Sequence, residues 1–204
     1  MKKTLILFLA LTMIPIFAIA QSIVDVDFIS PFYNDIAAIN KDGKWAFIDK
    51  EGNLIIDFRT DLVTTNTEEG DYPMFNDDRC PIVEVKSGIS YFGFIDKTGN
   101  TVIEPRFLNT SDFKDGKAVA LEVDKKVIAK NTALGKDMVN YRYFEVLIDT
   151  RGKITYYLTQ DGINIVLDKD FLRDVPQINS KRIAEDLYAV KNKKTLWNII
   201  HINE

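Results

Sequence analysis

A twelve-residue phrase occurs twice almost unchanged, and no fold that ignores it is admissible. Trp45-Ala-Phe47-Ile-Asp49-Lys-Glu-Gly52-Asn-Leu-Ile-Ile56 returns as Phe92-Gly-Phe94-Ile-Asp96-Lys-Thr-Gly99-Asn-Thr-Val-Ile103. A worn copy runs from Glu145 through Asp149 and Gly152 to Tyr156, and a fourth starts at Trp197 with His201 in place of the Asp. The fiducial residue therefore falls at 49, 96, 149 and 201. Near-even spacing of this kind is the mark of a repeat architecture.

Each copy is an apolar run, then Asp-x-x-Gly, then a second apolar run, and β-branched and aromatic residues crowd both runs. Asp opens a turn by accepting from backbone two residues on, and Gly takes the left-handed conformation three positions later. The expected unit is a hairpin with a Gly bulge, Phe47-Ile48 pairing back on Leu54–Ile56 and Phe94-Ile95 on Val102-Ile103. Asp49, Asp96 and Asp149 are read as turn formers; a carboxylate cluster is the competing reading. Successive side chains in the first strand alternate between faces, yet both sets are apolar, so both faces should be covered, as when hairpins stack.

A second phrase precedes the first. Phe75-Asn-Asp-Asp-Arg-Cys80-Pro-Ile-Val-Glu-Val85 aligns without gaps on Phe113-Lys-Asp-Gly-Lys-Ala118-Val-Ala-Leu-Glu-Val123, with looser versions at 32–39 and 182–190. Joined to the first phrase, these residues resemble the WG-repeat family of tandem bacterial β repeats. The resemblance rests on Gly43-Lys44-Trp45, Phe47-Ile48-Asp49, Gly52, Phe94-Ile95-Asp96, Gly99, Ile103-Glu104-Pro105 and Phe113-Lys114-Asp115-Gly116. No copy holds an intact Trp-Gly pair: the chain has Trp45-Ala46, Phe92-Gly93 and Glu145-Val146. The family is defined by its repeat and not by a reaction, so the resemblance implies no catalytic residues.

The expected fold is all-β, tandem antiparallel hairpins stacked as a short solenoid-like array. Its units are about 28–60, 75–110, 113–158 and 180–204, within one domain at 21–204. Residues 1–20 read as a signal peptide: basic Met1-Lys2-Lys3, an apolar stretch from Leu5 to Ile19, and Ala18-Ile19-Ala20 before Gln21. That places the mature chain in the periplasm or outside the cell, with no membrane insertion after cleavage; an uncleaved anchor is the alternative. Without Lys2 and Lys3, 24 basic face 30 acidic side chains, and the net charge falls from -4 to about -6. No basic patch is present to neutralise phosphates, which argues against nucleic acid as a partner.

Chemistry is sparse. His201 is the single histidine, so neither a His-based triad nor a His-ligated zinc site is expected. No phosphate loop, dinucleotide turn or nucleophile elbow occurs. Catalytic, cofactor and metal residues are all expected to be none. Glu68, Glu69, Asp71, Asp77 and Asp78 lack the spacing of a calcium loop and read as solvated loop. The single Cys80 reads as buried filler, against a reactive or intermolecular thiol.

The third unit is stretched. Ala118 lies 31 positions before Asp149, against 16 from Cys80 to Asp96. The extra segment is expected to form an elongated hairpin arm around Leu134-Gly135, carrying Lys125, Lys126, Lys130, Lys136, Tyr141, Arg142 and Tyr143. Inserts on one repeat emerge as loops, often on a binding face, and these residues are the candidate recognition site. Downstream, a hairpin is expected from Ile154–Leu158 and Ile163–Leu167, a helical turn or two at 180–187, and Trp197 in the core. The functional expectation is an exported, non-enzymatic binding or scaffolding module for protein or glycan. An envelope structural or assembly component is the second possibility, and a carboxylate-dependent hydrolase the third.

Overall fold

Sixteen strands, and no helix, make up the described part of the chain. In the structure, a computed structural model, residues 23–131, 135–192 and 194–202 are described, without the side chains of 130, 131, 136 and 137. The expected signal peptide, Leu134 and the side chains of Lys130 and Lys136 lie outside these residues. The first sheet has the order β1 (Phe28–Ile29), β2 (Ile36–Lys41), β3 (Lys44–Asp49), β4 (Leu54–Arg59). A small hairpin, β5 (Thr65–Thr67) and β6 (Gly70–Tyr72), follows. Then come β7 (Cys80–Lys86), β8 (Ile89–Ile95) and β9 (Thr101–Phe107) in one sheet. β10 (Lys117–Asn131) and β11 (Lys136–Asp149) form the next, with β12 (Ile154–Tyr157) and β13 (Ile163–Ile165) both on β11. β14 (Lys181–Ala184), β15 (Leu187–Lys191) and β16 (Trp197–His201) close the array. All pairings are antiparallel. The fold is the expected all-β array of hairpin repeats.

Two turn chemistries set the register. At Asp49 the amide donates to the Asn53 carbonyl (3.0 Å) and the Gly52 amide to the Asp49 carbonyl (3.1 Å). The same pair of bonds recurs at Asp96 with Asn100 and Gly99, and at Asp149 with Lys153 and Gly152. Each Asp Oδ1 also accepts backbone amides across its turn, and the three glycines have φ of 83°, 83° and 79°. The second chemistry is a two-residue turn with positive φ at both central positions: Asn34-Asp35, Asp77-Asp78 and Asp115-Gly116 at the entry to a repeat, and Asp42-Gly43 and Ser87-Gly88 between its first two strands. This is what a type I′ hairpin turn requires, and Asn, Asp and Gly adopt it at least cost. The two chemistries are tied together by ion pairs in equivalent places, Lys50–Asp35 (2.5 Å) and Lys97–Asp78 (2.6 Å).

The cores lie between repeats. Phe47 packs with Cys80, Ile82 and Ile95 of the following repeat. Phe94, in the equivalent place, packs with Ala118, Ala120, Val146 and Ile148. Leu147 packs with Tyr188, Val190 and Ile202. Residues two before the fiducial thus face forward and those one before it face back. This alternation explains the apolar character of both strand faces, because no single hairpin buries both. A further contact repeats. Ile56 lies 3.5 Å from where a Cβ on Gly99 would stand, and Arg59 donates to the Gly99 carbonyl (3.2 Å). One repeat on, Ile103 crowds Gly152, and Arg106 donates to the Gly152 carbonyl (2.8 Å). Cys80 is fully buried in the first of these interfaces, and burial pushes its thiol well above the ordinary range.

Four expectations are corrected. Residues 154–167 do not form a hairpin with themselves. β12 pairs with Val146–Ile148 and β13 with Tyr141–Tyr143, two segments laid along one edge of β11. The long β11 leaves ladder groups open past Phe144, and the chain resumes pairing there after looping out at 158–162. Residues 181–184 are strand and not helix, because pairing with β15 satisfies their backbone. Trp197 is 46% exposed, outside the core, because no described segment covers the forward face of the last sheet. The segment that holds Glu68, Glu69 and Asp71, expected as solvated loop, contains the β5–β6 hairpin.

Candidate functional site

The arm is the third repeat's replacement for a two-residue turn. β10 and β11 stay paired from Lys117↔Asp149 out to Asn131↔Lys136, with one irregularity between Val127 and Ala129. Its base is anchored. Tyr143 packs with Val123, Ile165 and the buried Ile89, Leu108 and Leu121. Burial raises the Tyr143 phenol, and the nearby Glu145 charge adds to the effect. Arg142 faces Asp124 across the ladder and bonds its carboxylate (2.5 Å), with the guanidinium 5.4 Å from the Phe144 ring centre. β13 covers this part of the β11 edge.

Past the Lys125–Tyr141 pair, where Tyr141 still pairs with Ile165 of β13, the ribbon has two strands only among the described residues. Lys125 sits 5.9 Å from the ring centre of its cross-strand partner Tyr141, and Lys126 is exposed opposite Asn140. Val127, Ile128 and Met138 are 50%, 63% and 55% exposed. Two strands without a sheet above or below them cannot bury apolar residues on either face. The structure therefore divides the seven sequence-derived residues. Arg142 and Tyr143 fasten the base, while Lys125, Lys126 and Tyr141 line the ribbon. The backbones of Lys130 and Lys136 pair close to its tip, with Asp137 and Asn131. Sequence reasoning missed Val127, Ile128 and Met138 as surface residues; the available signal was a run of apolar side chains on a segment too long for its repeat.

A second concave feature, a groove of about 530 Å³, runs past the entry turns of successive repeats, touching Asn34, Asp77 and Asp115 and ending at Arg182 and Tyr188. Its carboxylates are engaged. Asp77 Oδ2 accepts the Gly116 amide (2.7 Å), joining the second repeat to the third. Asp115 pairs with Arg182 (2.8 Å), joining the third to the fourth. Asp112 accepts the Thr65 hydroxyl (3.3 Å), and burial pushes its carboxyl up. Among the described residues no group of three or more His, Cys, Asp or Glu is placed to hold a metal ion. Of the acids singled out at 68–78, Glu68 and Glu69 lie in the β5–β6 turn, Asp71 in β6, and Asp77 and Asp78 in the separate entry turn of the second repeat.

Glu145 was not expected to matter. It occupies the register position of Trp45 and Phe92, and it is 2% exposed. Its carboxylate accepts the amides of Asn179 (2.9 Å) and Ser180 (2.8 Å), which fastens the 176–180 crossing to β11.

The family model described as WG containing repeat matches residues 26–45 and 92–126, spanning β1 to the start of β3 and β8 to most of β10. No curated protein matches the chain. No solved structure matches it.

Proposed function

We propose that this WG-repeat protein is an exported binding module, and that its stacked hairpins hold the 125–143 arm out toward a protein partner. The exposure of Val127, Ile128 and Met138 on a two-stranded ribbon carries this reading. Aliphatic side chains interleaved with Lys125 and Lys126 suit an apolar protein surface rimmed by acids. A glycan site would be built on stacked aromatic faces, and the ribbon offers Tyr141 alone. Export rests on the residue pattern of 1–20. A hydrolase needs a carboxylate pair free to act on substrate, whereas Asp77 and Asp115 are held by Gly116 and Arg182.

The test is capture from an envelope fraction with the chain starting at Gln21, beside a variant in which 127–139 is replaced by a two-residue Asn-Gly turn joining the paired Lys126 and Asn140. The shortened variant keeps its thermal transition, because the cores lie elsewhere. A protein captured by the full chain and lost with the arm supports the proposal. Equal capture by both chains refutes it.

A further inference from the structure

We infer that the outer edge of β10 is a strand-addition site, where a segment of the partner protein carrying adjacent acids joins the arm as a third, antiparallel strand. The inference rests on the reading of the arm as a protein-binding element and names how it binds. β10 lies at the end of its sheet, with β11 on one side. On the other side the chain itself fills only the first part of the edge. Residues 108–111 run antiparallel there: Leu108 donates to the Leu121 carbonyl (3.0 Å), Leu121 to the Asn109 carbonyl (2.9 Å) and Ser111 to the Val119 carbonyl (2.8 Å). Before Leu108 the chain belongs to β9 and pairs with β8 instead.

The hydrogen-bond phase carries on past that filled part. β10 and β11 pair without a shift from Lys117↔Asp149 to Val127↔Val139. Alternation along the ladder therefore turns the amides and carbonyls of Val123, Lys125 and Val127 outward, in phase with Val119 and Leu121, while those of Asp124 and Lys126 face β11. Val123 is packed into the base beside Tyr91 and Tyr143. Lys125 and Val127 are exposed, and their outward groups meet no backbone partner among the described residues. The open stretch continues a slot that the fold already fills with extended backbone.

The side chains select the occupant. Lys125 and Val127 share a face with Tyr141 and Val139, and Lys126 lies on the other face with Asn140. Residues 125–141 contain four lysines and one aspartate, a net +3 within a chain of -4. Lysines on an edge oppose the pairing of one arm with another, because like charges would face each other across the ladder. They favour a strand with two neighbouring carboxylates, one for each face, and an aliphatic residue opposite Val127. Main-chain bonds then supply affinity and the alternating side chains supply specificity.

The probe is the peptide Thr-Val-Val-Glu-Glu-Thr-Val-Thr with an N-terminal fluorophore, titrated with the chain from Gln21 and followed by anisotropy. Antiparallel to β10, its first glutamate meets Lys126, its second meets Lys125, and the valine before them meets Val127. Saturable binding is expected. N-methylation of the second glutamate, whose amide points at Lys125, weakens binding about tenfold. N-methylation of the first, whose amide points away, leaves it unchanged. Lys125→Pro weakens binding well beyond Lys125→Ala, because proline removes an outward amide and spares the pairing with β11; circular dichroism checks the fold of both. No saturable binding, or equal effects of the two methylations, overturns strand addition. Binding that neither methylation alters, and that is lost when 127–139 is replaced by the Asn-Gly turn, assigns the peptide to the faces of the arm: the reading of the arm stands and strand addition falls. Binding that the shortened chain retains in full overturns both.

Discussion

Gly93 is the residue on which the second repeat turns. It stands where the family motif has the Gly of its Trp-Gly pair, and it is needed for space and not for conformation. A Cβ there would lie 2.2 Å from the Ile103 carbonyl oxygen, 2.7 Å from the Pro105 nitrogen and 2.9 Å from the Glu104 carbonyl carbon. All three are backbone atoms, so no side-chain rotation relieves the clash. The cause is a bulge. From Phe94↔Ile103 to Phe92↔Phe107, β8 advances two residues while β9 advances four. The surplus folds Glu104-Pro105 over Gly93, which also explains a proline inside a strand. In the first repeat, where β4 advances three residues from Phe47↔Ile56 to Trp45↔Arg59, the chain tolerates Ala46.

Gly93→Ala forces β9 to recede by about 1 Å to restore an ordinary carbon–oxygen contact. Overpacking costs about 1–3 kcal/mol, and loosening one or two ladder bonds adds about 1 kcal/mol each. The lower chain entropy of alanine returns up to about 1 kcal/mol. The net is about 2–4 kcal/mol, or a fall of roughly 5–15 °C in Tm for a domain of this size. Urea unfolding followed by circular dichroism reads it as a lower midpoint at unchanged slope. Gly116→Ala is the control: it meets nothing within 4 Å and costs only the strain of φ 75°, about 1–2 kcal/mol. If Gly93→Ala falls within about 0.5 kcal/mol of the parent in urea, the close-approach account of this glycine is wrong.

Glu145→Ala leaves the amides of Asn179 and Ser180 without acceptors and is expected to cost about 2–4 kcal/mol, with hydrogen exchange rising first at 176–184. Arg106→Ala removes both the bond to Gly152 and the guanidinium 4.6 Å from the Phe107 ring centre, a loss of about 1–2 kcal/mol by urea titration. Asp49 and Asp96 are held below the usual carboxylate range, chiefly by side-chain hydrogen bonds from Asn53 and Thr98. Burial opposes the same shift in Asp149, where the Lys153 and Arg151 amides outweigh it. These groups contribute stability that is present above the unfolded pKa, about 3.9, and is lost as pH falls through the lowered folded values. Replacing any one with Asn flattens the acid limb of the Tm–pH curve. Asp112 has the opposite sign, its carboxyl raised by burial, so Asp112→Asn raises Tm at neutral pH and the gain vanishes as the pH drops below the raised value. Cys80 resists thiol reagents until the chain unfolds, and labelling that tracks the unfolding midpoint checks this.

The features legible in the sequence are those fixed within a few residues. Asp-x-x-Gly specifies its own turn through the Asp side chain and the left-handed Gly, so hairpin positions and the four fiducials can be read directly. The structure puts the fiducials in register: Ile36↔Asp49, Lys117↔Asp149 and Leu187↔His201 are equivalent pairs. The length of the arm was legible too, as surplus between two motif landmarks. The features that were not legible depend on distant neighbours. Ile154–Tyr157 and Ile163–Ile165 have the composition of a hairpin, and only the open edge of β11 decides that they lie along it instead. Lys181–Ala184 has no strand signature without β15 beside it.

The position four before the fiducial makes the same point. Trp45, Phe92, Glu145 and Trp197 occupy it in turn, and each suits what the chain places against it. Trp45 meets the Phe28 ring at 5.7 Å. Phe92 lies buried beside the bulge over Gly93. Glu145 is buried because the 176–180 crossing presents two backbone amides there, and a carboxylate satisfies both where an indole would satisfy neither. Trp197 has the Lys181 and Lys191 ammonium groups over its ring, 5.5 and 5.2 Å from its centre, and stays half exposed. An aromatic at this position is therefore not what makes the repeat; the turn and the forward-facing residue two before the fiducial do that. Departures from the motif then locate what is particular to this chain: a clamp at Glu145 and an arm where a two-residue turn would close the third repeat.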